Sequence, residues 1–304
     1  MGSSRLFAYI QLTRPANVVT AIADIWAGFA IAGTWTLLVA DWGSGTHELL
    51  INLGWLSLST IGLYAGGVAF NDVFDAELDA VERPERPIPS GRVSRKSAAW
   101  MSLLLILIGV LAAAQVNLVS AGIALAVAFL AVLYDYWGKH QHFLGPINMG
   151  LCRTGNLLLG ISVVPESLLT FWPLGLLPLI YVAAITMISR GEVHGKNRMA
   201  LYTGLLMYVF VIVTIGSMPI LHNTEIWEVL PFLALLSYMV FPPLIKAIRT
   251  HDPKLIGKSV KAAVISLIIV NSSLAAAFAG WKIGIIVLLL LPISLWLAKK
   301  FAVT

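Results

Sequence analysis

"LINLGWLSLSTIGLYAGGVAFNDVFDAELDAVERPERPIPSGRVS", residues 50–94, changes character near its midpoint. Residues 50–70 carry no charge and are long enough to cross a bilayer core, which takes about 17–25 apolar residues as a helix. Directly after them stand Asn71 and five carboxylates, Asp72, Asp75, Glu77, Asp79 and Glu82, and then Arg83, Arg86 and Arg92. Ionised side chains at the edge of lipid are costly and usually serve a function. The junction therefore calls for a membrane-spanning helix with something positive beside its end.

The rest of the chain repeats the apolar half of this stretch. Its 304 residues are 59% hydrophobic and 12% charged, with a mean hydropathy of +0.87; average soluble domains carry roughly a quarter charged residues. Apolar runs predict spans near 16–39, 50–70, 98–115, 118–134, 144–164, 170–188, 201–220, 228–246, 261–279 and 283–298. The expected fold is all-α, a polytopic membrane bundle of nine to ten transmembrane helices. With ten spans, every Lys and Arg except Lys282 and Arg153 falls on one side. Cytoplasmic loops hold such residues in excess, which predicts cytoplasmic termini and polar loops, in a multi-pass protein of the bacterial inner membrane. The net charge of +5 then faces anionic lipid. No basic face interleaved with aromatics appears, so no nucleic-acid partner is expected. Cys152 is the sole cysteine, which leaves no internal disulfide or multi-Cys metal site and reads as a small apolar helix residue. Neither a removable signal peptide nor a myristoylation signal is expected at MGSSRL, and no linker divides the chain.

Continued as a helix, the second span places Asn71, Asp75 and Asp79 about 40° apart in turn, with Asp72 about 100° from Asn71. These four share a face, and Glu77 points elsewhere. Like charges at this spacing repel. Hard oxygen donors without His or Cys suit Mg²⁺ or Ca²⁺, and Mg²⁺ typically combines one or two carboxylates with substrate phosphates. The arginines then read as phosphate clamps, since a guanidinium binds phosphate oxygens bidentately. A solvated, salt-bridged loop end is the plainer reading of the same residues.

Two further polar stretches fall on the same side of the membrane. Tyr134-Asp135-Tyr136-Trp137-Gly138-Lys139 offers a Lys for phosphate, or an interfacial aromatic belt with a snorkelling Lys. Ser189-Arg190-Gly191-Glu192-Val193-His194-Gly195-Lys196-Asn197-Arg198 is polar but holds one carboxylate. Inside the spans, Asp24 and Arg153 are expected to pair with each other, although Arg153 could instead reach a phosphate beside Asn148 and Asn156. Asn271, Ser272 and Ser273 read as helix packing, and Trp26, Trp35, Trp100 and Trp172 as packing or interface anchors.

In this order the stretches resemble the UbiA superfamily of intramembrane prenyltransferases. Asn71, Asp75 and Asp79 fill its first motif, N-x-x-x-D-x-x-x-D, and RPERPIPSGRVS is similar to its arginine-rich loop. LTRPAN at 12–17 looks like the opening of its first helix, and YDYWGK at 134–139 like its tyrosine–lysine segment. Motifs cover residues 12 to about 200; within the superfamily, the UbiA-like member of bacterial ebo-type gene clusters is the subgroup suggested. The resemblance implies one intramembrane domain over residues 1–304, around a central lipid-accessible cavity with cap loops near 71–97, 135–143 and 189–200. It implies an isoprenyl diphosphate, a lipophilic, aromatic acceptor, and Mg²⁺. Asp75 and Asp79 would ligate metal and carry catalysis, with Asp72 and Asn71 assisting. Asn17, Asn71, Arg83, Arg86, Arg92, Tyr134, Lys139, Arg190 and Lys196 would contact diphosphate.

The family's second acidic motif is missing its aspartates. At its place only Glu192 is acidic, among Arg190, Lys196 and Arg198. Glu192 with His194 and Asn197 could form a modified metal site, fixed charge from Arg190 and Lys196 could replace one metal, or catalysis could have been lost. The expectation is therefore a Mg²⁺-dependent prenyltransferase, with a non-catalytic binder or carrier of a prenylated or lipid-linked compound as the alternative and an ion-coupled transporter behind it.

Overall fold

The computed structural model describes residues 5–35, 37, 44–141, 143–190, 198–222 and 224–301, and every regular element among them is helical. In chain order these are α1 (Arg5–Leu12), α2 (Pro15–Ile31), α3 (Ser44–Phe74), α4 (Ala76–Glu82), α5 (Arg95–Ala114), α6 (Leu118–Tyr136) and α7 (Leu144–Ile161). There follow α8 (Ser167–Phe171), α9 (Leu176–Ser189), α10 (Arg198–His222), α11 (Ile226–Thr250), α12 (Pro253–Ala279), α13 (Trp281–Leu288) and α14 (Leu290–Lys300). Side-chain caps start three of them: Ser94, Asn117 and Asp252 accept backbone N–H bonds from Ser97, Ser120 and Lys254.

Each of the ten expected spans contains α-helix, but among the described residues eight stretches are long and apolar enough to cross a membrane, from Thr46–Phe74 to Trp281–Lys300. The two that fall short are α2, with 17 residues, and α7, where Asn148, Arg153 and Asn156 interrupt the apolar sequence. Both are inner helices: α2 packs against α3, α7, α12 and α14, and α7 against α2, α6 and α9. Shielded from lipid, they need not be apolar all round.

Three expected spans are shaped by Gly and Pro. In the first, α2 ends at Ile31, just before Gly33 takes a left-handed φ of 78°, and residues 36, 38 and 39 of the expected span lie outside the described residues. The sixth is split into α8, a 3₁₀ turn over Trp172–Gly175, and α9. Pro173 has no N–H to give and its ring crowds the preceding turn. The tenth breaks at Leu289, because the ring of Pro292 would meet the carbonyl of Leu288 in a continuous helix.

The bundle is dry inside and greasy outside. Leu103, Leu107 and Leu111 are all exposed on α5, and their four-residue spacing puts them in one stripe. Lipid, not water, suits such a face. Exposed Trp100 and Trp172 stand where interface anchors belong. Inside, α2 and α7 cross at Gly28 and Gly160. A Cβ at Gly28 would lie 2.5 Å from the Leu157 carbonyl oxygen, and one at Gly160 2.5 Å from that of Ile25. Small residues let the two backbones touch, which brings the polar side chains of α7 within reach of α2.

Candidate active site

Six helices, α2, α3, α6, α7, α9 and α12, enclose a cavity of about 410 Å³. Chain direction places the starts of α2 and α7 and the ends of α3, α6 and α9 at one end of it. Arg14, Asn17, Asn71, Tyr134, Asp135 and Ser189 form the mouth there. Below them the wall is apolar, built from residues such as Leu63, Val68, Ala131, Val182 and Ile185. Thr60, Arg153 and Asn156 close the floor.

At the mouth, α3 ends at Phe74 and α4 begins at Ala76. The backbone bonds Asp75 N–H to Asn71 and Asp79 N–H to Asp75 (2.9 and 2.7 Å) carry a helical course across the join. Asn71, Asp72, Asp75 and Asp79 consequently stay on neighbouring turns, as expected. The positive charge they need comes from the chain itself. Arg86 Nη1 donates to Asp79 Oδ2 at 2.6 Å and to Asp72 Oδ1 at 3.3 Å, and Arg14 Nη2 donates to Asp72 Oδ1 at 2.7 Å. Lys139 forms an ion pair with Asp75. The Asn71 amide donates to Asp135 Oδ1 at 2.8 Å.

Of the residues expected to meet diphosphate, Asn17, Asn71 and Tyr134 line the cavity, while Arg86 and Lys139 are not among its lining residues and pair with the neighbouring carboxylates. Arg86 is thus a carboxylate clamp in this structure, where the sequence suggests a phosphate clamp; its guanidinium is buried between two aspartates that outbid solvent. Arg92 bonds Ser90 Oγ, the Gln11 side chain and the Glu85 carbonyl, so it braces the loop, and Arg83 is exposed on it. Glu77 pairs with Arg95 at the surface, away from the other acids. Arg190 donates to the Gln141 carbonyl at 2.6 Å, joining two of the expected cap segments. Glu192, His194, Lys196 and Asn197 lie outside the described residues.

Arg14 and Asp135 are the mouth residues that sequence reading passed over. Arg14 precedes Pro15, which disfavours a right-handed helical conformation. It adopts φ 46°, ψ 64°, a left-handed backbone uncommon outside glycine. The Arg-Pro pair in LTRPAN was the available signal. For Asp135, flanked by aromatics in YDYWGK, nothing local separates a cavity wall from an interfacial belt.

Whether this chemistry suits a divalent cation depends on its oxygen donors. Among the described residues no group of three His, Cys, Asp or Glu side chains converges as a ready-made metal site. Asp75 and Asp79 nonetheless each use one carboxylate oxygen in their ion pairs. The second oxygens and the Asn71 carbonyl are hard donors of the kind Mg²⁺ takes alongside substrate phosphate. The donor chemistry fits Mg²⁺, in competition with Lys139 and Arg86.

The floor is an intramembrane polar network. Asp24 accepts from Arg153 Nη2 (3.1 Å), Asn156 Nδ2 (2.9 Å) and Asn271 Nδ2 (2.6 Å), and its Oδ2 lies 2.9 Å from Arg153 Nε. Thr60 Oγ1 donates to Asn156 Oδ1 at 2.6 Å. The expected Asp24–Arg153 pairing holds. Asn271 does more than pack helices: it brings α12 into the network. Ser272 and Ser273 bond only back along their own helix, in keeping with packing.

The family model for the UbiA prenyltransferase family matches residues 27–260. The chain belongs to the UbiA prenyltransferase family. Among curated UbiA relatives, the digeranylgeranylglyceryl phosphate synthase of Methanosarcina mazei is 33% identical over 168 residues, 53% of this chain and 56% of that protein. The chain spans about half the length of the first such relatives it matches. A solved structure described as giving structural and mechanistic insights into digeranylgeranylglyceryl phosphate synthase in membranes superposes with a TM-score of 0.65 at 20% identity, covering 91% of this chain and 99% of that one. A UbiA homologue from Archaeoglobus fulgidus, solved bound to DMAPP and Mg²⁺, gives a TM-score of 0.59 at 13% identity, covering 84% and 98%. At these identities the likeness is one of fold.

Proposed function

We propose that this UbiA-family chain transfers an isoprenyl group from an allylic diphosphate to a lipophilic acceptor and does so with Mg²⁺, acting as a single intramembrane unit whose polar mouth faces the cytoplasm. The observation that carries this reading is the cavity itself: an apolar sleeve whose mouth holds Asn71 and Arg14, with Asp72 ion-paired to that Arg14 and Asp75 and Asp79 on the turns that follow Asn71. The diphosphate group sits at the mouth and the hydrocarbon tail in the sleeve. Asp75 and Asp79, with Asn71 alongside, would hold Mg²⁺, which would supply charge neutralisation to the diphosphate. The Archaeoglobus fulgidus homologue solved with DMAPP and Mg²⁺ supports Mg²⁺ as the metal.

The chain's own residues do the rest. Arg14, Asn17 and Tyr134 orient phosphate oxygens by hydrogen bonding. Lys139 and Arg86 add positive charge where negative charge accumulates on the leaving group. The allylic C–O bond breaks with its electron pair leaving on diphosphate. The acceptor nucleophile supplies the pair for the new bond to carbon and gives up its proton. Walls such as Leu63, Val68 and Ile185 keep water from the cation meanwhile. An acceptor of lipid character is supported by the digeranylgeranylglyceryl phosphate synthases among the relatives, while an aromatic acceptor has no such support.

A second reading, a non-catalytic binder of prenylated compounds, draws on the ion pairs that already satisfy the first-motif carboxylates. Purified protein, given Mg²⁺, allylic diphosphates of several lengths and lipid-type acceptors, separates the two. Diphosphate release that Asp75→Asn and EDTA both abolish supports the enzyme. Mg²⁺-dependent binding with no release at any length supports the binder, and absence of both sinks the whole reading.

A further inference from the structure

The sleeve between the mouth and the floor is short. On α3, Asn71 at the mouth and Thr60 at the floor are eleven residues apart, about 16 Å of helix, with Tyr64 seven residues below Asn71. On α2, Asn17 and Asp24 of the floor network repeat the seven-residue spacing of Asn71 and Tyr64. The Arg153 guanidinium lies 5.6 Å from the centre of the Tyr64 ring, so both helices reach the polar layer at one level. Arg153, Asn156 and Thr60 are each at most 4% exposed, and all three border the cavity.

We infer that this floor sets the length of the donor tail, so that the cavity takes a dimethylallyl or geranyl group and rejects a geranylgeranyl group. The inference rests on the proposed diphosphate site at the mouth and deepens it. A hydrocarbon tail gains by covering Leu63, Val68 and Ile185, because each methylene withdrawn from water is favourable. Its next unit would be pressed against the Asp24–Arg153–Asn156 network. There it would strip the remaining hydration from bonded polar groups and offer no hydrogen bond in return. Elongation therefore helps to the bottom of the sleeve and hurts beyond it, the reverse of the steady gain a uniformly apolar tunnel would give.

Calorimetric binding of dimethylallyl, geranyl and geranylgeranyl diphosphates in Mg²⁺ tests this. Wild type should bind one of the two shorter donors at least tenfold more tightly than geranylgeranyl diphosphate. The variant combining Asp24→Leu with Arg153→Met replaces the buried pair by apolar side chains. It should shift the ratio of geranylgeranyl to dimethylallyl affinity at least tenfold in favour of the long donor. Should that variant fail to fold, Ala131→Leu, halfway down the sleeve, provides the opposite test: geranyl binding should weaken at least tenfold and dimethylallyl binding change little. Geranylgeranyl diphosphate binding as tightly as the short donors in wild type would overturn the inference while leaving the diphosphate site intact. An unshifted ratio in the folded double variant would also overturn it, and so would an unaffected geranyl affinity in Ala131→Leu. Failure of all three donors to bind wild type would overturn the diphosphate site itself and the tail assignment with it.

Discussion

Arg86 donates to Asp79 at 2.6 Å, and the same nitrogen reaches Asp72 at 3.3 Å. One guanidinium group thereby fastens the arginine-rich loop to two turns of the helical course carrying the first acidic motif. Both partners are nearly buried, so the pair is held in a medium that screens it weakly.

Removing Arg86 leaves Asp79 buried without its counter-charge. Breaking a buried pair from one side costs about 3–5 kcal/mol. Arg86→Ala should lower the thermal unfolding midpoint in detergent and weaken diphosphate binding at least tenfold. Arg86→Lys, which keeps charge but loses the planar fork, should fall between. Unchanged stability in Arg86→Ala would show that the pair does not form.

Lys139 and a divalent cation compete for Asp75. Lys139→Met deletes the competitor, so Mg²⁺ alone should bind about tenfold more tightly, equivalent to about 1.4 kcal/mol. Diphosphate binding should weaken at the same time, since a point charge beside the phosphate is gone. Calorimetry of each ligand separately reads the two effects. Mg²⁺ affinity falling in step with diphosphate affinity would contradict this sharing of Asp75.

The Asp24–Arg153 pair should show the asymmetry of buried charges. Each single replacement, Asp24→Leu or Arg153→Met, should destabilise by about 3–5 kcal/mol, whereas the double variant should lie within about 1–2 kcal/mol of wild type. A thermodynamic cycle on unfolding midpoints measures the coupling. Additive losses would show that the two side chains are solvated independently.

The crossing of α2 and α7 should tolerate no methyl group. Gly28→Ala and Gly160→Ala each drive a Cβ into backbone on the facing helix, an overpacking that costs about 1–3 kcal/mol. Gly54→Ala on α3 meets nothing within 4 Å. It should be neutral or stabilising by up to about 1 kcal/mol, as alanine is the better helix former. Circular dichroism melts of the three variants provide the comparison.

The sequence by itself determined that the chain is a helical membrane bundle. Uninterrupted apolar runs the length of a bilayer have one low-energy solution, in which each backbone satisfies its own polar groups. It also determined that Asn71, Asp72, Asp75 and Asp79 share a side, because helical spacing is local geometry. The tertiary structure alone decided which cations those acids meet. Arg14, Arg86 and Lys139 arrive from three separate segments, and no local rule fixes their distances. It likewise decided that α2 and α7 are inner helices, that Asp135 faces the cavity, and that Asn271, 247 residues from Asp24, completes the floor. Periodicity shows which side chains share a helix face; what that face meets is set by how the helices pack around one another.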